Sequence, residues 1–251
     1  MLSAVTTSFI GRLRDNDQAA WFELWETFGP VVRLQLTRWG KGRIGAETVR
    51  DLSQETLAAL SDSIERYDPA RGARFSTWLL AIAKHVLGDE IDRRMAQKRG
   101  SGKKAVALDE RWATVPSTVG ADAAYEAAVF RAKIEAALRA VEREAEFMDF
   151  SIYRMRVLDG LSGRDVAAQL GVSEPTVSRR LAKVRGMVRD RARMMVEQFS
   201  FTADELGEAA RNGLDFNPTK ADDDLFDEAI CEIYHRQAEL RRLDEQAAVE
   251  D

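Results

Sequence analysis

Along most of this chain apolar residues recur every three or four positions. No alternating run is long enough for a strand, so the pattern predicts an all-α protein. In "TVRDLSQETLAALSDSIERYD", residues 48–68, Val49, Leu52, Thr56, Leu60 and Ile64 share one helical face, and Asp51, Gln54, Glu55, Ala58 and Asp62 share the other. A loop with Pro69 and Gly72 follows, then "FSTWLLAIAKHVLGDEIDRR", residues 75–94. Here Ser76 is the expected N-cap, Trp78, Leu79, Ile82, Ala83 and Val86 form a wide apolar stripe, and Lys84, His85, Arg93 and Arg94 lie off it.

A third pattern is shorter and more specific. In "LSGRDVAAQLGVSEPTVSRRL", residues 161–181, Val166, Ala167 and Leu170 mark one face of a short helix. Val177, Leu181, Val184 and Val188 mark one face of the next. Gly171 can take the left-handed conformation that ends the first helix, Ser173 can cap the second, and Pro175 is tolerated in a first turn. These features predict a helix-turn-helix, with small Ala167 letting the helices approach closely. The second helix presents Ser178, Arg179, Ala182, Lys183 and Gly186 opposite its valines, and residues 179–193 hold seven basic residues against one acid, Asp190. A solvated face would normally mix both signs. This run instead sits on the helix that such a motif places in a DNA major groove, where Arg and Lys pair with guanine edges and further arginines hold phosphates.

Charge changes the picture once it is divided along the chain. The 251 residues carry a net −5, but residues 196–251 hold 16 acids and five bases, a net −11, which leaves +6 on residues 1–195. A basic body that binds a polyanion is joined to an acidic tail. Composition separates four blocks: a helical block at 1–95, a Gly-, Ser-, Thr- and Pro-rich linker at 96–122, a second helical block at 123–195 that ends in the helix-turn-helix, and the acidic extension at 196–251. No apolar run reaches the roughly 20 residues of a membrane span, and the first residues lack the basic start and long apolar run of a secretion signal. A lone cysteine, Cys231, fits a reducing compartment, so a cytoplasmic location is expected.

With these residues in view, the chain resembles a bacterial sigma factor of the extracytoplasmic-function group. "DLSQETL", "YDPARGARFSTWLLAIAKHVLGDEIDRR" and "LDGLSGRDVAAQLGVSEPTVSRRLAKVR" are similar to that family's regions 2.2, 2.3 to 2.4, and 4.2, in order and at the right separation. The resemblance covers about residues 15–195. It implies a non-enzymatic initiation factor with two small helical domains, needing no cofactor, whose partners are core RNA polymerase and promoter DNA, with an anti-sigma factor or a kinase as further candidate regulators and no insertion into a membrane. By resemblance, Asp51, Gln54 and Glu55 would meet the clamp of the largest polymerase subunit. The loop from Tyr67 to Ser76, with Arg74 and Ser76, and the helix after it, with Lys84, His85, Arg93 and Arg94, would melt the −10 element and hold its non-template strand. Ser178, Arg179, Arg180 and Lys183 would read or clasp the −35 element, and the linker would thread through the polymerase. Where the family often has Asp-Ala-Glu-Asp, this chain has Thr48, Val49, Arg50 and Asp51, and His85 stands where many members carry Asn. A phosphate on Thr48 would restore about 1.5 to 2 negative charges at that place.

Two other classes compete. A helix-turn-helix regulator that does not engage core polymerase would shift promoter DNA alone, but it leaves "DLSQET" and the basic helix after it without a role. A metal-dependent nuclease using Asp89, Glu90 and Asp92 lacks a second acid or His cluster to complete a two-metal site. Cys231 and His235, spaced i, i+4, fall short of a zinc ligand set, so no metal site is expected. In the tail, Leu225, Ala229, Ile233 and Leu240 lie near one helical face, widened by Phe226, Ile230 and Tyr234, with aspartates at its start where the helix dipole favours them. Its charge predicts docking on the basic helices of the body, in competition with promoter DNA until polymerase or a signal displaces it, and the alternative is a helix that only packs beside the last domain and adds stability.

Overall fold

A computed structural model of the chain describes residues 4–68, 74–98, 123–216 and 223–249. Eleven α-helices and no strand occur among them, in agreement with the all-α expectation. The chain divides into two compact units, residues 1–129 with 244–251, and residues 130–243. Most of the linker, 99–122, and the loop residues 69–73 lie outside the described residues.

The first unit is built on α1 (Ala4–Arg14), α2 (Gln18–Gly40), α3 (Ala46–Ser63) and α4 (Phe75–Lys98). Asp17 starts α2 by accepting from the backbone N–H groups of Ala19 and Ala20, which satisfies donors the helix itself cannot. The face of α3 read from the sequence is the buried one: Val49, Leu52, Thr56, Leu60 and, just past its end, Ile64 are all inside. A fully buried leucine such as Leu60 contributes about 1.5 to 3 kcal/mol. Thr56 can join this face because its hydroxyl donates to the Leu52 carbonyl at 2.7 Å.

Leu79, Ile82, Ala83 and Val86 of α4 are likewise buried, and Phe75 is fully so. Trp78 is only half-buried, stacked on Tyr67 with ring centroids 5.0 Å apart. Ser76 departs from expectation: it is not the cap of α4. The Arg74 carbonyl accepts the first helical bond, from the Trp78 N–H, and Ser76 sits buried in the first turn. Its hydroxyl faces the Glu126 carboxylate at 3.3 Å and its carbonyl accepts from the Tyr125 phenol at 2.9 Å. A buried hydroxyl follows its nearest strong acceptor rather than the local preference for caps.

The division between units falls within α5 (Ala123–Glu144). In the second unit the rest of α5 is followed by α6 (Phe147–Tyr153), a π-helical turn (Arg154–Leu158), α7 (Gly163–Leu170), α8 (Glu174–Gln198), α9 (Ala203–Leu206), α10 (Glu208–Arg211) and α11 (Asp223–Val249). Ser162 caps α7, accepting from the Asp165 N–H and donating its own proton to the Asp165 carboxylate. Gly171 ends α7 with φ +65°, the left-handed conformation that glycine adopts without penalty. Ser173 caps α8 and Pro175 lies in its first turn. Val166 and Ala167 of α7 and Val177, Leu181, Val184 and Val188 of α8 are all buried, while Leu170 is half-buried.

The tail helix α11 is amphipathic, but its buried face is rotated from the expected one. Phe226, Ile230 and Ile233 are inside, Ala229 is half-buried, and Leu225 is 61 % exposed. Phe226 is the larger apolar body, and its i, i+4, i+7 row sets the buried stripe. The Leu240 side chain is outside the described residues.

Candidate nucleic-acid interface

On α8 the surface opposite the valines is open: Ser178, Arg179, Ala182 and Lys183 are exposed and Arg180 is half-buried. Arg180 and Lys183, spaced i, i+3, converge on one carboxylate. Arg180 Nη1 donates to Asp149 Oδ1 at 2.6 Å and Lys183 Nζ to Oδ2 at 2.7 Å. Asp149 belongs to α6 and its side chain is only 3 % exposed. The Lys183 hydrogen bond, reinforced by Arg180, holds its carboxyl below the usual carboxylate range. Sequence reading missed Asp149, since an acid 31 residues before Arg180 carries no local signal.

The rest of the basic run is also engaged. Arg185 grips Asp227 through Nε at 3.0 Å and Nη2 at 2.5 Å, and Asp223 through Nη1 at 2.8 Å. Arg189 donates to Asp223 at 2.9 Å and lies over the Phe226 ring, 4.6 Å from its centroid. Arg191 pairs with Glu144, and Arg193 donates to the Phe216 carbonyl. Of the seven basic side chains in 179–193, only Arg179 has neither an ion pair nor a hydrogen bond among the described residues. Acids drawn from α5, α6 and α11 therefore engage five of the seven cations in this run, and the Phe216 carbonyl takes a sixth.

In the first unit Asp51, Gln54 and Glu55 stand together on the exposed back of α3. The six residues expected at the −10 element do not form one cluster, because they spread along the length of α4. At its start Arg74 Nη1 lies 2.5 Å from Glu126 Oε2. Lys84 is exposed in the middle, and His85 Nε2 lies 3.3 Å from the Asp89 carboxylate. At the far end Arg93 and Arg94 both donate to Glu90, at 2.7 and 2.6 Å. Burial pushes the Glu90 carboxyl up, but the hydrogen bonds from Arg94 and Arg93 outweigh it and leave the group below its ordinary value. Arg94 also donates to the Thr48 hydroxyl at 2.7 Å and to the Arg43 carbonyl, so it ties α4 to the start of α3.

Among the described residues no group of three His, Cys, Asp or Glu side chains is arranged to hold a metal ion. His235 Nε2 instead meets the Leu158 carbonyl at 2.8 Å. No described helix is long and apolar enough to cross a membrane.

Comparison with known families separates the same two segments. The family model for Sigma-70 region 2 matches residues 24–97, which hold α3 and α4, and that for Sigma-70, region 4 matches residues 149–187, from Asp149 through the exposed part of α8. No curated protein matches the chain. With region 2 preceding a region 4 of the variant typical of the extracytoplasmic-function group, the chain belongs to the sigma factors of that group, the DNA-binding proteins of promoter recognition.

Proposed function

We propose that this sigma factor binds core RNA polymerase through Asp51, Gln54 and Glu55, recognises a −35 element with Ser178, Arg179, Arg180 and Lys183, and melts a −10 element with residues of α4. Residues 1–95 and 123–195 are the two working domains in this reading, and the 96–122 linker threads through the polymerase between them. The −10 contacts are Arg74, Ser76, Lys84, His85, Arg93 and Arg94. Opening of the duplex draws on binding energy, with no nucleotide hydrolysis by this chain.

The observation that carries this reading over a free-standing regulator is the state of α8. A regulator that binds DNA alone needs several cations free for phosphates, because these supply most of the sequence-independent affinity. Here six of seven basic side chains are already bonded within the protein, while an acidic and amide strip stands exposed on α3. Weak DNA binding alone and dependence on a partner that contacts α3 are the expected behaviour. The test is binding to purified core polymerase and a promoter shift with and without it. Asp51→Lys/Glu55→Lys abolishes core binding in this reading, whereas a promoter shift of equal strength without polymerase favours the regulator.

Thr48 supports a second, subordinate reading, in which a kinase controls polymerase binding. Its half-buried hydroxyl already accepts from Arg94, so a phosphate added there meets a guanidinium at once and presents its remaining charge beside Asp51. If Thr48→Asp binds core polymerase no better than Thr48→Ala, this control does not exist. An anti-sigma factor is the other candidate regulator, to be sought as a protein that competes with polymerase for this chain.

A further inference from the structure

The acidic helix α11 lies outside both family matches, yet it makes the densest ionic contact with the DNA-reading helix. Arg185 and Arg189 are one turn apart on a single flank of α8, and only 11 % and 16 % of their side chains are exposed. Asp223 and Asp227, themselves one turn apart at the start of α11, match them group for group. The Arg189 guanidinium covers Phe226, and Phe226 and Ile230 are buried in the same unit, so apolar packing holds the ionic contact in place. The Arg189 hydrogen bond also keeps the Asp223 carboxyl below its usual value, which leaves it charged at neutral pH.

Arg185 lies six residues beyond Arg179, about 9 Å further along the helix axis. A DNA major groove is about 12 Å wide, so an arginine at that distance from a base-reading residue is within reach of the phosphates that border the groove. Without α11, Arg185 and Arg189 would be available to any duplex, whatever its sequence. Phosphate contacts raise specific and non-specific affinity together, and promoter choice depends on the ratio of the two.

We propose that Asp223 and Asp227 of α11 set the promoter specificity of this factor: they occupy Arg185 and Arg189 as phosphate surrogates, and so confine DNA contact on α8 to residues 178–183. The contact is permanent and need not be displaced. It lowers binding to arbitrary duplex more than binding to the correct −35 element, where Arg179 and its neighbours add base contacts.

This inference rests on the −35 reading of α8, and the experiment separates the two. The full-length protein and its Asp223→Asn/Asp227→Asn variant are titrated, across a salt series, with a scrambled duplex and with the best-bound duplex selected from a random pool. Both titrations are repeated on the variant with Arg185→Ala/Arg189→Ala added. The Asn variant binds the scrambled duplex about tenfold more tightly at low salt, its salt slope steepens by about 1 to 2 as one or two phosphate contacts are gained, and its ratio of selected to scrambled binding falls. Adding the two alanines reverses all three changes. That reversal is not expected of a merely structural ion pair, whose loss would lower stability without returning the slope. Equal slopes and ratios in wild type and Asn variant overturn the inference alone. A wild type with no preference for any selected duplex, in the presence or absence of core polymerase, overturns the −35 reading and this inference with it.

Discussion

The helices α3 and α8 carry the two halves of the proposed work, and they treat charge in opposite ways. On α3 the polar face is plain: Asp51, Gln54 and Glu55 are exposed, directly opposite a buried face of Val49, Leu52, Thr56 and Leu60. On α8 the flank is covered, with Arg185 and Arg189 held by α11 and Arg191 by Glu144, while Arg180 and Lys183 share Asp149 but keep 36 % and 57 % of their side chains exposed beside Arg179. An exposed strip of acids suits a partner met once and held. A surface of arginines would bind any nucleic acid, and in the proposed reading internal acids leave it only its base-reading part. The net charge of a helix thus says less about its function than where its counter-charges sit.

The contrast is sharpest in the tail. If α11 is part of the core of its unit, Phe226→Ala should destabilise that unit by about 3 to 5 kcal/mol, whereas Leu225→Ala on the exposed side should change stability by less than about 0.5 kcal/mol. Urea denaturation of both variants measures the difference. Similar values for the two would show that α11 does not pack as described.

Removing the buried carboxylate that joins α6 to α8 comes next in size. Asp149→Asn gives up two charge-assisted hydrogen bonds, but Arg180 and Lys183 can turn to solvent, so the expected loss is about 1 to 3 kcal/mol. Its pH dependence has a definite sign. Because the folded carboxyl is held below its ordinary value, its contribution is complete above the unfolded value of about 3.9 and is lost as pH falls through the lower folded value. The stability gap between wild type and Asp149→Asn should therefore be constant near neutrality and close below about pH 4. A gap unchanged in acid would mean that the carboxylate charge is not what joins the helices.

Arg179 and Arg191 divide the proposed DNA surface. Arg179→Ala should relax base preference in the upstream element at a cost of about 1 to 3 kcal/mol for a lost bidentate contact. Arg191, already paired with Glu144, should change affinity little and preference not at all when replaced by Ala. Selection from a random promoter pool with each variant in complex with core polymerase measures both, and equal effects on all sequences would remove Arg179 from the reading surface. The smallest effect is expected in the first unit, where Thr48→Ala deletes one partly exposed hydrogen bond from Arg94 and should cost about 1 kcal/mol or less.

What could be read from the sequence was whatever is decided locally. The helical period placed the buried and exposed faces of α3, and the Gly171, Ser173 and Pro175 signals placed the turn between α7 and α8, because backbone sterics and capping act within a few residues. Local reasoning failed where partners come from far along the chain. Ser76 looked like a cap but answers to Tyr125 and Glu126, about 50 residues on. The basic run looked open because Asp149, Asp223 and Asp227 lie 31 or more residues from the side chains they hold. The tail's charge did point to the basic helices, yet its period centred the apolar face on Leu225 with Phe226 at the side, and packing turned the larger Phe226 inward instead.

Run-off transcription from a promoter library with purified core polymerase shows whether this chain directs that polymerase to promoters. Specific transcripts are expected only when the chain is added, with a shared upstream element among the active templates, and none with Asp51→Lys/Glu55→Lys. No initiation above core polymerase alone, from a protein that nevertheless shifts promoter DNA by itself, would make the chain a free-standing regulator instead.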